Sequence, residues 1–329
     1  LQECISSGWI SSEGPFVERF EKSFAERVDR KFAVAVTSGT AALDIAIEML
    51  DLAPGDEVIM PAFTIISCVH QVVRRGATPV LVDCEIDTWN MDTEQIESKI
   101  STRTKAILVV HIYGLPTDMA KVVEIANKYG LQIIEDSAEA HGLRINGRPC
   151  GSFGLASTFS FYPNKLITTG EGGMLVINDD QFIHQAEILR EKGTNRSAFF
   201  RGEVDKYGWV DIGSSFLPSD IIAAFLYAQL ENIVAYSIKE GSSQFEIARF
   251  LKMSQLVEDS YPDKLPRASS SSIESGLAGV FSGYAPQVNQ ISNELGVDVT
   301  ALWQEMGKRK LVAGQESMIR EIAQDLMNL

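Results

Sequence analysis

One lysine, Lys165, stands in the stretch FSFYPNKLITTGEGGMLVIND (residues 159–179), between two segments whose apolar runs predict β-strands. Most lysines in loops are solvated, so this residue taken alone favours a surface role. An amine held on a constrained turn at a sheet edge is also suited to form a Schiff base with an aldehyde. Its chemistry therefore depends on the side chains that the fold brings to it.

Three further features lie where predicted strands end. Asp136 closes the apolar run LQIIED, at the edge where the side chains of a parallel sheet open into a crevice. Ser38, Gly39 and Thr40 immediately precede a predicted helix, whose free N–H groups and positive dipole end can bind a phosphate. Ser160, close to the end of the strand before the lysine loop, offers that phosphate a second hydroxyl.

Each feature also has an ordinary explanation. Asp136 could cap the following helix, the Ser38–Thr40 turn could be a simple helix start, and Ser160 could bond to backbone in the core. Their order and context favour a joint interpretation, which is a site for pyridoxal 5'-phosphate (PLP). The aspartate would keep the pyridine nitrogen protonated, the turn would hold the phosphate, and the lysine amine would serve as Schiff-base former and proton carrier.

The composition limits the other classes of function. The chain has 329 residues and a formal net charge of −15, which argues against a nucleic-acid or anionic-membrane surface. The four cysteines are far apart and form no CxxC, so neither a disulfide framework nor a zinc site is predicted, and a reducing, cytoplasmic setting is expected. No apolar run approaches a membrane span and no signal peptide is evident, while the start at Leu1 suggests a beginning inside a domain.

Two histidines, His111 and His141, also end apolar runs. We interpret them as core or rim residues, because no His, Asp or Glu spacing in the chain predicts a metal site.

Strand and helix patterns alternate through the first 232 residues, which predicts an α/β domain with a mostly parallel sheet and helices on both faces. The first long helix is predicted over residues 15–29, with Ser11 and Ser12 as candidate N-caps. After residue 156, STFSFY and GGMLVIN are joined by a loop too short for a helical crossover, so that part of the sheet is predicted to be antiparallel. Residues 233–270 are predicted to be a junction and 271–329 a helical tail.

Beyond these local patterns, residues 1–232 resemble the sugar-nucleotide aminotransferases, a PLP-dependent family of fold type I. The matching stretches, in order, are WISSEGPFVERFE, TSGTAALDIAI, PGDEVIMPAFT, GATPVLVD, RTKAILVVHIYG, IIEDSAEAHG, TFSFYPNKLITTGEGGM and DIGSSFLPSDIIAAFLYAQLE. The resemblance implies the large PLP-binding domain of that fold and the transfer of an amino group to a keto-sugar. It also implies a homodimer with active sites at the subunit interface.

The resemblance assigns roles to the chemical residues. Lys165 matches the Schiff-base lysine and Asp136 the partner of the pyridine nitrogen, while Glu139 falls where the family has Gln or Glu beside the ring. The phosphate-binding positions of the family correspond here to Gly39, Thr40 and Ser160.

Two further positions differ from most members of the family. Ser215, in GSSFL, stands where many members offer an asparagine across the subunit interface. Ile65 replaces an aromatic residue that stacks on the cofactor ring, which keeps an apolar contact but loses about 0.5–1.5 kcal/mol of stacking.

The expected substrate is inferred from two different stretches. WISSEGPF and NKLITTGEGGM resemble GDP-perosamine synthases, whereas Arg190–Asp220 resembles dTDP-4-amino-4,6-dideoxygalactose transaminases. Both groups aminate C4 of a nucleotide-linked 4-keto-6-deoxy sugar, with glutamate as the expected donor. The second match is the longer and more unusual, so a dTDP-sugar is favoured and a GDP-sugar is the next candidate.

The tail, from about residue 240, resembles a different family. LPRASSSSIESGLAGVFSGYAPQVNQISNELGVDVTALWQEMGKRKLVAGQESMI is similar to the C-terminal region of 4-hydroxy-2-oxovalerate aldolases, which contacts an acylating aldehyde dehydrogenase. The aminotransferase small domain, expected after residue 232, is not recognisable there. A non-catalytic scaffold whose tail docks a dehydrogenase is therefore a rival hypothesis. An aldolase fragment is a weaker one, because the sequence shows neither a barrel nor a His-x-His metal pair.

Overall fold

A computed structural model of the protein describes residues 1–86 and 88–239. Leu1–Ile233 form one unit of the chain, and this unit contains the whole of the main sheet. The predicted tail (271–329) and most of the predicted junction (233–270) lie outside the described residues.

Helices and strands alternate as the sequence predicts. The helices are α1 (Gln2–Ser7), α2 (Pro15–Arg27), α3 (Gly39–Glu48), α4 (Ile66–Arg74), α5 (Ile96–Lys99), α6 (Met119–Tyr129), α7 (Asp180–Arg190), α8 (Arg196–Phe200) and α9 (Asp220–Lys239). The strands are β1 (Phe32–Val36), β2 (Glu57–Pro61), β3 (Thr78–Val82), β4 (Thr104–Val110), β5 (Gln132–Asp136), β6 (Arg144–Ile145), β7 (Arg148–Pro149), β8 (Ala156–Ser160) and β9 (Gly173–Ile177).

Seven strands form the main sheet in the order β1-β9-β8-β5-β4-β2-β3. The five strands from β8 to β3 run parallel to one another, and β9 runs antiparallel to both β8 and β1. The predicted mostly parallel sheet with an antiparallel part is thereby confirmed. β9 is antiparallel to β8 because the connection between them, which carries Lys165, contains no crossover helix and leads directly into the adjacent strand.

Apolar side chains cover both faces of this sheet. On β1, Val34 and Val36 belong to a core cluster with α3, whereas Ala33 and Ala35 pack on the opposite side with α2 and α9. Burial on both faces explains why these strands read as continuous apolar runs. Within the described residues, none of the helices combines the length and hydropathy that a bilayer crossing requires.

The start of α2 differs from the prediction. Ser11 and Ser12 do not cap this helix, because its N-cap position is Gly14, which has no side chain. The free N–H groups of Phe16 and Val17 instead donate to Asp220 Oδ1 at 3.1 and 3.0 Å. The predicted N-caps are thus wrong, since the capping carboxylate comes from a residue more than 200 positions further along the chain.

Candidate active site

The carboxyl ends of neighbouring strands bring the predicted site residues to one edge of the sheet. Asp136 is the last residue of β5 and Ser160 the last of β8, and these two strands are adjacent and parallel. Ser38 lies just beyond the end of β1 and is the N-cap residue of α3, which packs against β8 and β9. A crevice at this edge is where doubly wound α/β proteins bind their ligands.

Lys165 lies on a tight turn at that edge. Its backbone N–H donates to the carbonyl of Tyr162 at 2.9 Å, and the loop closes through Phe161 N–H to the Gly172 carbonyl at 2.9 Å. Gly172, with φ of 153°, and Gly170, with φ of 84°, adopt conformations that favour glycine. The Lys165 amine donates to Glu139 Oε1 at 2.8 Å and its side chain is only 14% exposed. The turn therefore presents the amine to one carboxylate in a sheltered crevice.

Asp136 is buried and held by two donors. Its Oδ1 accepts the Ala138 N–H at 3.0 Å, and its Oδ2 accepts the thiol of Cys68 at 3.2 Å. Burial raises the pKa of the Asp136 carboxyl above its usual range, although both hydrogen bonds and the nearby Lys165 ammonium oppose that shift. A fixed carboxyl of this kind can accept a hydrogen bond from a ring nitrogen with well-defined geometry.

The helix starts of α3 and α4 converge beside Ser160. Ser38 caps α3 by accepting the Ala41 N–H at 3.1 Å. A side chain at Gly39 would meet Ser160, because a Cβ there would lie 2.7 Å from the Ser160 Cβ. The hydroxyl of Thr40 lies 3.0 Å from that of Ser67, at the start of α4. Hydroxyls and free helix N–H groups therefore face one small space, as an anion site requires.

The two remaining predicted site positions, Ile65 and Ser215, are more peripheral. Ile65 is the N-cap residue of α4 and is 58% exposed. Ser215 is exposed and forms a backbone bridge with Glu191. Its neighbour Phe216 accepts the Thr37 N–H at 2.9 Å, so this segment abuts the turn that leads into α3.

His111 and His141 are both buried, as the sequence predicts. Nε2 of His141 lies 3.0 Å from the Ser160 carbonyl, and burial lowers the pKa of this imidazole to about 4, so it is neutral at pH 7. Nε2 of His111 lies 3.4 Å from Glu135 Oε2. Glu135, which precedes Asp136 on β5, also accepts three backbone N–H groups from the loop at residues 151–154. It therefore holds that loop against the sheet.

A cavity of about 910 Å³ lies elsewhere, between α2, the β1 edge and α7. Glu21 and Arg190 line it, and they bond to the free edge of β1 at Ala35. None of the predicted site residues borders this cavity. The chemistry of the Lys165 crevice, rather than cavity size, therefore identifies the candidate site.

Two residues of the site are absent from the sequence prediction. Cys68 contacts Asp136, and Ser67 contacts Thr40, although neither belongs to a recognisable motif. The only sequence feature that could have indicated them is their place in the chain, because both lie on the helix that follows the carboxyl end of β2. The contact partners are 68 and 27 residues away, respectively, beyond the reach of a local pattern.

Two known protein families match different parts of this chain. The family model of the DegT/DnrJ/EryC1/StrS aminotransferases matches residues 1–242. A second family model, the DmpG-like communication domain, matches residues 266–328, outside the described residues.

Individual relatives agree with the first match. The chain is 43% identical to a GDP-perosamine synthase of Escherichia coli O157:H7, over 70% of this chain and 62% of that protein. It is also 43% identical to a dTDP-3-amino-3,6-dideoxy-alpha-D-galactopyranose transaminase of Aneurinibacillus thermoaerophilus, over 60% of this chain and 54% of the relative. A putative sugar aminotransferase of Streptococcus pneumoniae, solved in its PLP form, superimposes with a TM-score of 0.63 at 29% identity, over 70% of this chain and 62% of that one. The chain thus spans about six-tenths of the length of the first of these relatives.

Proposed function

The chain belongs to the DegT/DnrJ/EryC1/StrS aminotransferase family, and from that premise we propose that it is a PLP-dependent aminotransferase acting on a nucleotide-linked keto-sugar. The observation that carries the proposal is the convergence of Lys165, Asp136 and the α3 start at one sheet edge. Curated relatives that carry aminotransferase and synthase names for amino-sugar products support the same reaction class.

The residues of the crevice fit PLP. A phosphate would be held by the N–H groups at the start of α3, with the hydroxyls of Thr40 and Ser160, and Gly39 leaves the room that a Cβ would fill. Asp136 would bind the pyridine nitrogen, and Ile65 would contact one side of the ring. Bound PLP supplies an electron sink and a carbonyl carbon that bonds to an amine.

Lys165 would carry the proton movements, with Glu139 as the carboxylate that orients its amine. The Lys165 amine is held 2.8 Å from Glu139 Oε1, so it is aimed into the crevice before a substrate arrives. The Lys165 amine would be the base that moves a proton at the reacting carbon, and the Glu139 carboxylate would orient it. The same lysine serves an amino donor and a keto-sugar in turn, which predicts ping-pong kinetics.

We propose C4 of a 4-keto-6-deoxy sugar as the site of amination and glutamate as the donor. The stretch Arg190–Asp220 favours a dTDP-linked sugar, whereas the 43% identity to a GDP-perosamine synthase supports a GDP-linked one as the alternative. Incubation of the PLP-loaded protein with glutamate and each keto-sugar nucleotide separates the two. Formation of an amino-sugar nucleotide and 2-oxoglutarate, seen by mass spectrometry, is expected. If neither keto-sugar nucleotide is converted to an amino-sugar nucleotide while PLP is bound at Lys165, the proposed sugar substrate is wrong.

We also propose that the working unit is a homodimer. Several large apolar side chains between residues 199 and 212 are exposed, among them Phe200 at 67%, Trp209 at 73% and Ile212 at 79%. Apolar surface of this kind supports a protein interface. In such a dimer, Ser215 would approach the partner's cofactor, as the family resemblance implies.

A second candidate function concerns the C-terminal segment. The match of residues 266–328 to the DmpG-like communication domain supports an interaction role. The partner that we propose, an acylating aldehyde dehydrogenase, is the one that the resemblance of the tail to 4-hydroxy-2-oxovalerate aldolases implies. In this alternative the aminotransferase unit is a scaffold that does not turn over. Co-sedimentation with a dehydrogenase of that class, compared between the full chain and a chain ending at residue 242, tests it.

A further inference from the structure

Cys68 lies directly behind the carboxylate that would face the cofactor. The side chain is fully buried on α4, and its Sγ is 3.2 Å from Asp136 Oδ2. The other oxygen, Oδ1, accepts the Ala138 N–H at 3.0 Å. Each oxygen of Asp136 therefore has a protein donor, and one of the two donors is a thiol.

The sulfur is the donor in this contact. Burial, and then the neighbouring Asp136 carboxylate, raise the pKa of the Cys68 thiol well above its usual range, so it keeps its proton. An S–H group is a weaker donor than a hydroxyl. The thiol thus stabilises the ionised carboxyl only moderately and leaves it a strong acceptor.

A buried cysteine often acts simply as a small apolar residue. Cys4 is such a case, because it is also fully buried but its Sγ lies 3.8 Å from a backbone carbonyl, that of Asp220. Cys68 differs because its partner is an ionisable carboxyl that is itself only 3% exposed. Cys4 is therefore the matched control for the loss of a buried thiol.

We propose that Cys68 is a positioning residue, which sets how firmly Asp136 keeps the proton on the pyridine nitrogen of PLP. The role of Asp136 in this statement rests on the proposed function, whereas the thiol–carboxylate contact does not. A hydrogen bond to the ionised carboxyl favours that form. Loss of the thiol raises the proton affinity of Asp136, so the proton shared with the ring moves from the nitrogen towards the carboxyl.

The contact itself is tested without cofactor, by infrared spectroscopy of the S–H stretch. The difference spectrum between the protein and Cys68→Ala isolates the Cys68 band. Asp136→Asn, which removes the charged acceptor, is expected to move this band to higher frequency and to leave the Cys4 band, isolated in the same way, in place. A Cys68 band that does not move overturns the proposal.

The effect on the ring is read by the ¹⁵N chemical shift of PLP labelled at the pyridine nitrogen. Cys68→Ala is expected to shift the signal towards the unprotonated ring and to weaken PLP binding about ten-fold. Cys68→Ser, which restores a donor, is expected to return the signal to that of the protonated ring. Cys4→Ala should leave both unchanged.

The failure of this proposal is distinct from failure of the proposed function. If PLP is trapped on Lys165 but Cys68→Ala keeps the parent ¹⁵N shift, Cys68 does not set the protonation of the ring, and the aminotransferase assignment stands. If PLP is not trapped on Lys165 at all, the proposed function fails and this role of Cys68 fails with it. The infrared result then describes only a structural contact.

Discussion

At the scale of single residues, Gly39 lies close to Ser160 at the proposed phosphate site. A Cβ on residue 39 would lie 2.7 Å from the Ser160 Cβ, so the two segments must move apart to accommodate alanine. We expect Gly39→Ala to weaken PLP binding at least ten-fold, measured by fluorescence titration. Gly208→Ala is the control, because no atom lies within 4 Å of its Cβ position. Equal affinities for the two variants would show that this approach does not shape the phosphate site.

A second prediction at this scale concerns His141 and acid. Burial, and after it the Lys165 charge, hold the pKa of this imidazole at about 4, below the ordinary 6.5. Between these pH values the unfolded chain binds more protons than the folded one, so the contribution of neutral His141 is complete above pH 6.5 and is lost as the pH falls towards 4. The loss amounts to about 3 kcal/mol.

Urea unfolding across that pH range measures the effect. His141→Gln has no titrating group, so its free energy of unfolding should fall less steeply with acid than that of the parent. Subtraction of the variant curve removes the opposing contribution of Asp136, whose raised pKa favours the folded state as the pH falls. His70→Gln, at an exposed position, should follow the parent. Parallel curves for the parent and His141→Gln would refute the neutral, buried assignment.

At the scale of elements, α2 is tied to α9 by one carboxylate. Asp220 Oδ1 accepts two N–H groups of the first turn of α2, and the whole residue is buried. Asp220→Ala leaves both donors unpaired, so we expect the free energy of unfolding to fall by about 2–4 kcal/mol. Asp118→Ala removes a local cap from α6 and should cost about 1 kcal/mol. Similar urea midpoints for the two variants would contradict a special role for Asp220.

Local sequence is sufficient to predict most elements. Strands such as β5 and β9 are short apolar runs between polar turns, and α6 begins after an aspartate cap and ends at Gly130 in the left-handed conformation. The antiparallel turn of the sheet at β8 and β9 is also predictable from loop length. These features depend on neighbours in the chain, which is why they can be read without a structure.

Contacts between distant segments could not be predicted in this way. Asp220 replaces the predicted N-caps of α2, and Cys68 on α4 contacts Asp136 at the end of β5. Both contacts depend on how distant segments pack in the folded domain. The local sequence around each residue therefore does not predict them. The candidate site residues Lys165, Asp136 and Gly39 are predictable from the sequence because they lie at strand ends and turns. The residues that contact the site from α4, such as Cys68 and Ser67, are not predictable from the sequence.

At the scale of the whole molecule, the exposed apolar segment at residues 199–212 bears on assembly. If it lies in a homodimer interface, Ile212→Asp places a charge there and should shift the protein from dimer to monomer in analytical ultracentrifugation. Ile86→Asp is the control, since Ile86 is 91% exposed but outside this segment. A parent protein that sediments as a monomer, or an Ile212→Asp variant that remains a dimer, would contradict the interface.

The most direct test of the whole assignment is covalent trapping of the cofactor. Purified protein mixed with PLP should turn yellow, and borohydride reduction followed by peptide mass mapping should place the pyridoxyl group on Lys165. Lys165→Ala should lose both signals, whereas Lys128→Ala, which removes a surface ion pair with Glu97, should keep them. A label spread over surface lysines, with no loss in Lys165→Ala, would contradict a working PLP site and leave the scaffold hypothesis in its place.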